Sequence, residues 1–168
     1  MRLETDRLLI RKDTVEDIDA VVALWSDPDV MRYMWGPRDP ERVRKAVIDS
    51  AQGEDEDIAI WSVEEKGSGE FVGDCGFIRK EIAGRDEIEL VYVVVRKHWG
   101  RGIATEAASA VRDYAFRDLD LDRFVAMVHP ENAASCRVAE KIGMAYDGIV
   151  ERPKAAMRLY VATRRSRR

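Results

Sequence analysis

The sequence has no long hydrophobic run and few of the residues that bind metals. No stretch of about 18 consecutive apolar residues occurs, so a membrane-spanning helix is not predicted. The two cysteines, Cys75 and Cys136, and the two histidines, His98 and His129, lie far apart and show no metal-ligand spacing. The first residues are charged and contain no apolar signal core. We therefore predict no metal and no membrane partner, and a cytoplasmic protein whose two thiols are buried.

Positive charge is also scarce, except at the last residues. The formal net charge is −4, and the segment TRRSRR at 163–168 is strongly basic, so the rest of the chain is more acidic than that figure indicates. An acidic body argues against a nucleic-acid partner, which needs a basic face. It suits either a cationic substrate or an ordinary solvated surface. We predict a single domain over 1–163 and a basic, disordered tail over 164–168, in a monomer or homodimer.

Strand and helix patterns alternate along the chain. Strands are predicted at 7–12, 57–65, 71–80, 87–95, 123–130, 144–150 and 157–162. Helices are predicted after Asp13-Thr14, after Asp39-Pro40, from Ile103 onward and over 131–143. This order predicts an α/β (α+β) fold with a mixed, mostly antiparallel central sheet of about six or seven strands, flanked by about four helices.

The segment RKHWGRGIATEA at 96–107 joins an apolar strand directly to a helix. The first amides of a helix and its positive dipole end attract anions. Gly100 and Gly102 leave room for an anion to touch those amides, and Lys97 and Arg101 add mobile positive charge. The pattern predicts a pyrophosphate site. The alternative is a tight turn whose basic side chains are only solvated.

Two common phosphate-binding motifs do not fit this segment. A P-loop requires Gly-Lys-Ser/Thr, whereas the chain has Gly102-Ile103-Ala104. A Rossmann fingerprint requires a small third residue where Thr105 stands, and it belongs to the first strand of the fold.

The remaining pattern resembles the GNAT acetyltransferase superfamily, whose pyrophosphate motif is Gln/Arg-x-x-Gly-x-Gly/Ala. The segment 97–102 fits that motif with lysine in the first position. Residues 4–37 resemble the opening of the branch that contains the ribosomal-protein N-terminal acetyltransferases, and WGRGIATEA at 99–107 resembles its central signature. ENAASCRVAEKIGM at 131–144 is similar to its Asn-x-x-Ser…Lys-x-Gly-Phe segment, with Met144 in the aromatic position.

The resemblance implies an acetyl-CoA site where two central strands splay apart, at 87–95 and 123–128. The pantetheine arm would pair with the backbone of Val93–Val95, and the loop amides would hold the pyrophosphate. Asn132 would contact the pantetheine or, as its position also suggests, cap a helix. The cofactor-binding residues implied are Val93, Val94, Val95, Lys97, Trp99, Gly100, Arg101, Gly102, Ile103, Ala104, Thr105 and Asn132.

The same resemblance implies the catalytic groups. Glu89 occupies the position of the glutamate in the branch's Glu-x-Gly-Tyr strand, and Tyr92 that of the tyrosine, so Glu89 would be the general base. The alternative is that Glu89 is a surface residue near the start of the strand. In many relatives, a tyrosine at the position of Ala139 is the general acid that protonates the departing thiolate. This chain lacks that tyrosine, so Ser135 or solvent would protonate the thiolate instead. The acceptor pocket would be bordered by a set of aromatic and thioether side chains: Tyr33, Met34, Trp35 and Tyr92. The alternative for the three that follow the first helix is an ordinary core patch.

These observations predict an acetyl-CoA-dependent N-acetyltransferase. The acetyl group would pass directly, in a ternary complex, to a protein N-terminal α-amine or a small-molecule amine. Two other functions stay open at this point: a non-catalytic acyl-CoA-binding regulator, and a dinucleotide-binding protein.

Overall fold

The structure is a computed structural model that describes residues 1–53 and 57–164. Its strands are β1 (Arg2–Glu4), β2 (Leu8–Arg11), β3 (Ile60–Glu65), β4 (Glu70–Ile82), β5 (Arg85–Val94), β6 (Arg123–Val128), β7 (Ala145–Val150) and β8 (Met157–Thr163). Its α-helices are α1 (Ile18–Ser26), α2 (Pro40–Gln52), α3 (Ile103–Arg117) and α4 (Ala133–Lys141).

The strands form one sheet in the order β1-β2-β3-β4-β5-β6-β8-β7. Every neighbouring pair is antiparallel except β5 and β6, which run parallel. The predicted mixed, mostly antiparallel sheet and the order of elements are confirmed. The sheet has one strand more than expected, because the three residues of β1 pair through their backbone with Leu9–Arg11 and are too few and too charged to show alternation.

The helices cover the two faces of this sheet. On one face, Ile103, Ala107 and Val111 of α3 pack against the large core that includes Phe77 and Phe124. On the other face, Leu24 of α1 and the following Met31 pack against Val91 and Val93 of β5. Alternation along β5 therefore directs Tyr92 toward α3 and α4, and directs Glu89 toward the side of α1.

The sheet opens between β5 and β6. In the described part of the chain, a single registered pair, Glu89 with Val125, joins these strands. Beyond it, Leu90–Val94 and Ala126–Val128 diverge, because β5 leads into the loop of α3 while β6 continues beside β8. The splayed central strands implied by the sequence are present.

The last described residue, Arg164, is held by a backbone hydrogen bond. Arg164, the first residue of the predicted tail, donates its backbone N–H to Asp122 O at 2.8 Å. Residues 165–168 lie outside the described residues, as do 54–56, at the predicted end of the second helix. None of the described helices is long and apolar enough to cross a membrane.

Candidate active site

A cleft of about 560 Å³ follows the opening between β5 and β6. We call it the cofactor cleft. Its walls are the end of β5, the loop and first turn of α3, the first two turns of α4, and the segment between α1 and α2. A concave site of this volume accommodates a small-molecule ligand.

The loop before α3 depends on two glycines in left-handed conformations. Gly100 has φ 77° and Gly102 has φ 79°, values that L-residues with a side chain rarely adopt. Gly102 immediately precedes α3, so the chain turns sharply and presents the first amides of the helix to the cleft. Ile103, Ala104 and Thr105 all line it. This geometry is that of an anion site at a helix N-terminus.

Side chains from the start of the sheet hold the loop in place. Glu106, in the first turn of α3, accepts hydrogen bonds from Arg7 Nε at 2.7 Å and from Thr5 Oγ1. Arg7 Nη1 also donates to Arg101 O at 3.0 Å. Sequence reasoning missed Arg7, because an exposed arginine some 95 residues away in the chain gives no local signal.

The two basic residues of the loop do not point into the cleft. Lys97 forms an ion pair with Glu70, and Arg101 Nη2 lies 2.5 Å from Glu65 Oε1. Both glutamates flank the turn between β3 and β4, and neither basic residue lines the cleft. In this structure both charges are therefore paired outside the cleft, and a role for Lys97 and Arg101 at the pyrophosphate stays a prediction. These charges fasten the loop to the β3–β4 turn.

His98 joins the two ion pairs. It is buried, and its Nδ1 lies 2.5 Å from Arg101 Nη1. A guanidinium has no acceptor, so Nδ1 accepts and the ring proton of a neutral His98 resides on Nε2. Nε2 lies 3.5 Å from Glu70 Oε1. Glu65, Arg101, His98, Glu70 and Lys97 thus form one chain of contacts beneath the loop.

Positive charge reaches the cleft from α4 instead. Arg137 and Lys141, spaced four residues apart on that helix, both line it and both are exposed. Residues at this spacing lie on the same helix face. The sequence alone does not mark them as ligand contacts, because basic residues on a helix are usually solvated.

Asn132 begins α4. Its Oδ1 accepts from the backbone N–H of Ser135 at 3.1 Å, which makes it the N-cap of the helix. The residue also lines the cleft, so capping and ligand contact are compatible.

Tyr92 and Ser135 form a hydroxyl pair across the cleft. Ser135 Oγ donates to Tyr92 Oη at 2.9 Å, and Tyr92 Oη donates to Ser135 O at 2.9 Å. Burial raises the pKa of Tyr92 above its ordinary value, and the hydrogen bond with Ser135 only partly opposes this. Tyr92 therefore stays protonated at neutral pH. Ala139 is fully buried in the core and offers no acid.

Glu89 lies at the closed end of the opening. It is buried, and its Oε2 accepts from Lys80 Nζ at 2.9 Å. Its Cα is in register with Ile78 of β4 and with Val125 of β6. Glu89 does not line the cleft, whereas Tyr92, three residues further along the strand, does. A separation of three strand residues is roughly 10 Å.

The segment between α1 and α2 closes the other side of the cleft. Tyr33 and Met34 line it, while Trp35 does not. The ring of Tyr33 stacks on that of His129, which follows β6, with centroids 5.0 Å apart. This contact spans from the α1 side of the opening to β6.

Comparisons with known proteins identify the family. The model of the acetyltransferase (GNAT) domain matches residues 7–145. The chain belongs to the GNAT acetyltransferase family. It is 37% identical over 163 residues to the Bacillus subtilis protein YkkB, covering 95% of this chain and 94% of that protein. It is 34% identical over 160 residues to the N-acetyltransferase p20 of Bacillus licheniformis, covering 88% and 84% respectively.

A solved structure agrees with this assignment. The acetyltransferase (GNAT family) from Bacillus anthracis superposes with a TM-score of 0.82 at 31% identity, covering 97% of this chain and 98% of that one. The resemblance to GNAT acetyltransferases seen in the sequence is confirmed.

On this GNAT fold, most of the predicted site residues come together. Those that line the cleft are Tyr33, Met34, Tyr92, Val93, Val94, Trp99, Gly100, Gly102, Ile103, Ala104, Thr105, Asn132 and Ser135. Those that do not are Trp35, Glu89, Val95, Lys97 and Arg101. Within the described residues, no group of three or more His, Cys, Asp or Glu side chains could hold a metal ion.

Proposed function

We propose that this protein is an N-acetyltransferase that transfers the acetyl group of acetyl-CoA directly to a primary amine in a ternary complex. The observation that carries the proposal is the continuity of one cleft. It runs from the amides at the start of α3, along the splayed end of β5, to the Tyr92–Ser135 pair. A Rossmann-type dinucleotide site is not favoured, because such sites lie on open, mostly parallel sheets.

The residues of the cleft fit acetyl-CoA. The amides of Ile103–Thr105 would bind the pyrophosphate, and Arg137 and Lys141 would supply charge to the phosphates. The edge of Val93 and Val94, which β6 leaves uncovered, would pair with the amide groups of the pantetheine arm. When bound, acetyl-CoA would supply the thioester that donates the acetyl group, with Tyr92 and Ser135 in the same cleft.

The acceptor must lose a proton before it attacks. A protein α-amine with a pKa of about 7.7–8.0 is easier to deprotonate at neutral pH than a lysine at about 10.4. We therefore propose an α-amine or a small-molecule amine of similar basicity as the acceptor. Glu89 would receive the proton. Because its side chain is directed toward the α1 face of the sheet, roughly 10 Å along the strand from Tyr92, bridging waters would have to carry the proton from the amine to Glu89.

The departing sulfur would receive the Oγ proton of Ser135 while Ser135 takes a replacement proton from water in the cleft, so that no serine alkoxide forms. The Oγ proton of Ser135 is directed at Tyr92 Oη in this structure, and rotation of the hydroxyl would direct it into the cleft. Tyr92, whose pKa is raised, would remain neutral and hold the serine in place. A thiol pKa of about 8.5 also allows the sulfur to leave as thiolate.

Thiol release from acetyl-CoA tests this function. The amine panel would contain an alanine-initiated peptide, the same peptide with an acetylated N-terminus, spermidine and an aminoglycoside. We expect release above the hydrolysis rate with at least one free amine and none with the blocked peptide. Mass spectrometry of that amine should show the added acetyl group.

The second candidate is an acyl-CoA-binding regulator without catalysis, which the alanine at 139 favours. It predicts tight CoA binding by calorimetry with no thiol release from any amine. Absence of both binding and release would contradict both functions.

A further inference from the structure

A second cavity lies on the other face of the sheet, under α2. Its volume is about 950 Å³, and it lies between α1, α2 and the strands β3 and β4. None of its lining residues belongs to the cofactor cleft. The proposed acetyl transfer uses no group within it.

One carboxyl group in this cavity lacks a full set of partners. Asp74 on β4 lines the cavity and is only 3% exposed. Its Oδ2 accepts from Trp25 Nε1 at 2.5 Å. Among residues 1–53 and 57–164, no group donates to its Oδ1. A buried polar atom without a partner costs free energy unless a ligand or water satisfies it.

A large part of the cavity lining is apolar and aromatic. Trp25 and Trp61 contribute rings, and the aliphatic lining consists of Val21, Val43, Val47, Ile58, Ile60 and Ile78. A few polar groups within an apolar pocket are typical of small-molecule sites. A ligand that fits would carry one hydrogen-bonding head on an apolar body.

The carboxyl groups of Asp13 and Asp17, which act on Asp74, favour a positive head. Burial raises the pKa of Asp74 well above its usual range; the Trp25 hydrogen bond opposes this, and the carboxyls of Asp13 and Asp17 add to it. A cation against Oδ1 would lower that pKa again and complete the hydrogen bonds of the carboxylate.

Other charged groups line the cavity: Lys12, Asp13, Arg38, Arg42, Asp49 and Arg79. Lys12 Nζ donates to Gly53 O, and Asp49 pairs with Lys45. Asp13 accepts from Ser62 Oγ at 2.7 Å, and burial raises its pKa. The three arginines are exposed, so water and salt screen their charges, whereas Asp74 is enclosed.

We propose that this cavity binds an organic ammonium ion on an apolar or aromatic body, with Asp74 as its counter-ion. The proposal does not depend on acetyl transfer, because binding here involves no residue of the cofactor cleft. The ammonium group would donate to Asp74 Oδ1, and the body would lie against Trp25 and the aliphatic side chains.

The probe is 2-phenylethylamine, titrated without CoA and followed by the NMR signal of the Trp25 indole N–H. Comparison with the spectrum of Trp25→Phe assigns that signal. We expect a saturable shift with the amine. Its affinity should rise as the pH passes upward through the pKa of Asp74, because the carboxylate is the binding form.

Asp74→Asn is the decisive variant, since its amide oxygen can still accept from Trp25. It should weaken 2-phenylethylamine binding at least tenfold, or about 1.4 kcal/mol. The neutral 2-phenylethanol should bind equally weakly to both proteins. Asp6→Asn, which changes an exposed carboxylate between β1 and β2, should bind the amine as the unaltered protein does.

A second variant tests the same cavity without altering the buried carboxyl group, in case Asp74→Asn does not fold. Ala46 is an exposed residue of α2 that lines the cavity, so Ala46→Trp should block entry and abolish the shift while the melting temperature stays close to normal. Equal amine affinity in Asp74→Asn would overturn the proposal. So would tighter binding of phenylacetate than of the amine, or no saturable shift at millimolar concentration.

Discussion

The two ends of the cofactor cleft differ in the part of the chain that contacts the ligand. At the proposed phosphate end, within the loop 99–105, the groups that would bind the ligand are backbone amides exposed by glycines. At the proposed transfer end, Tyr92 and Ser135 line the cleft and Glu89 lies beyond its closed end, and the proposed reactive groups are side chains held by specific partners. CoA affinity should therefore respond to changes in the backbone conformation of the phosphate end. The turnover number should respond to the loss of a single functional group at the transfer end.

The largest effect should follow Glu89→Gln, which keeps the shape of the side chain but cannot take a proton. We expect a loss of roughly 10²–10⁴ in kcat near neutral pH, as is usual for a general base. The loss should shrink as pH rises, because the amine then arrives deprotonated. A pH profile of kcat and of kcat/KM over several amine concentrations provides the measurement.

Glu87→Gln is the matched control, since Glu87 lies on the same face of β5 and pairs with Arg123 at 2.9 Å. It should leave kcat nearly unchanged. A loss in Glu89→Gln that does not recover at high pH would assign Glu89 to positioning. An unchanged kcat would remove it from the transfer end.

Ser135→Ala should have the next largest effect. If Ser135 protonates the thiolate, kcat should fall roughly 10²-fold while CoA binding is unchanged. Tyr92→Phe, which removes the partner of Ser135, should cost less, because it leaves the proton donor in place. A decrease of only a few-fold in Ser135→Ala would indicate that the sulfur leaves as thiolate or takes its proton from water.

Gly102→Val tests the phosphate end. Valine is strained at a φ of 79°, so the loop should shift and the CoA dissociation constant should rise at least tenfold, or about 1.4 kcal/mol. Calorimetry on the folded variant measures this. Gly84→Val carries the same strain at φ 77° in the β4–β5 turn and should lower stability without changing CoA affinity. Unchanged affinity in Gly102→Val would contradict the assignment of the phosphate end.

The smallest expected effects are those of Arg101→Ala and Arg137→Ala on the CoA dissociation constant. Arg101→Ala removes a side chain that is paired with Glu65 outside the cleft, and the CoA dissociation constant should change by less than about twofold. Arg137→Ala removes an exposed cation that lines the cleft, and the constant should rise several-fold, more so at low salt. The reverse order would restore Arg101 as the cofactor-binding arginine.

The order of elements and the loop of α3 were predictable because both depend on local patterns. Alternation marks the strands, and Gly100 and Gly102 directly before an alanine-rich helix mark the turn. The short strand β1 was not predictable, because three charged residues show no alternation and pair only through the backbone. The ion-pair partners of Lys97 and Arg101 were not predictable either, since Glu70 and Glu65 flank a turn about 30 residues earlier in the chain.

By itself, the sequence determined the GNAT pattern of this protein: the left-handed glycines, the helix that follows them, and Asn132 at the start of α4. These features depend on backbone preferences within a few residues. Only the tertiary structure decided which side chains meet. It paired Glu89 with Lys80, joined Tyr92 to Ser135 across 43 positions, and enclosed Asp74 beside Trp25. Such contacts depend on strand register and on how the helices pack over the sheet, which no local spacing encodes.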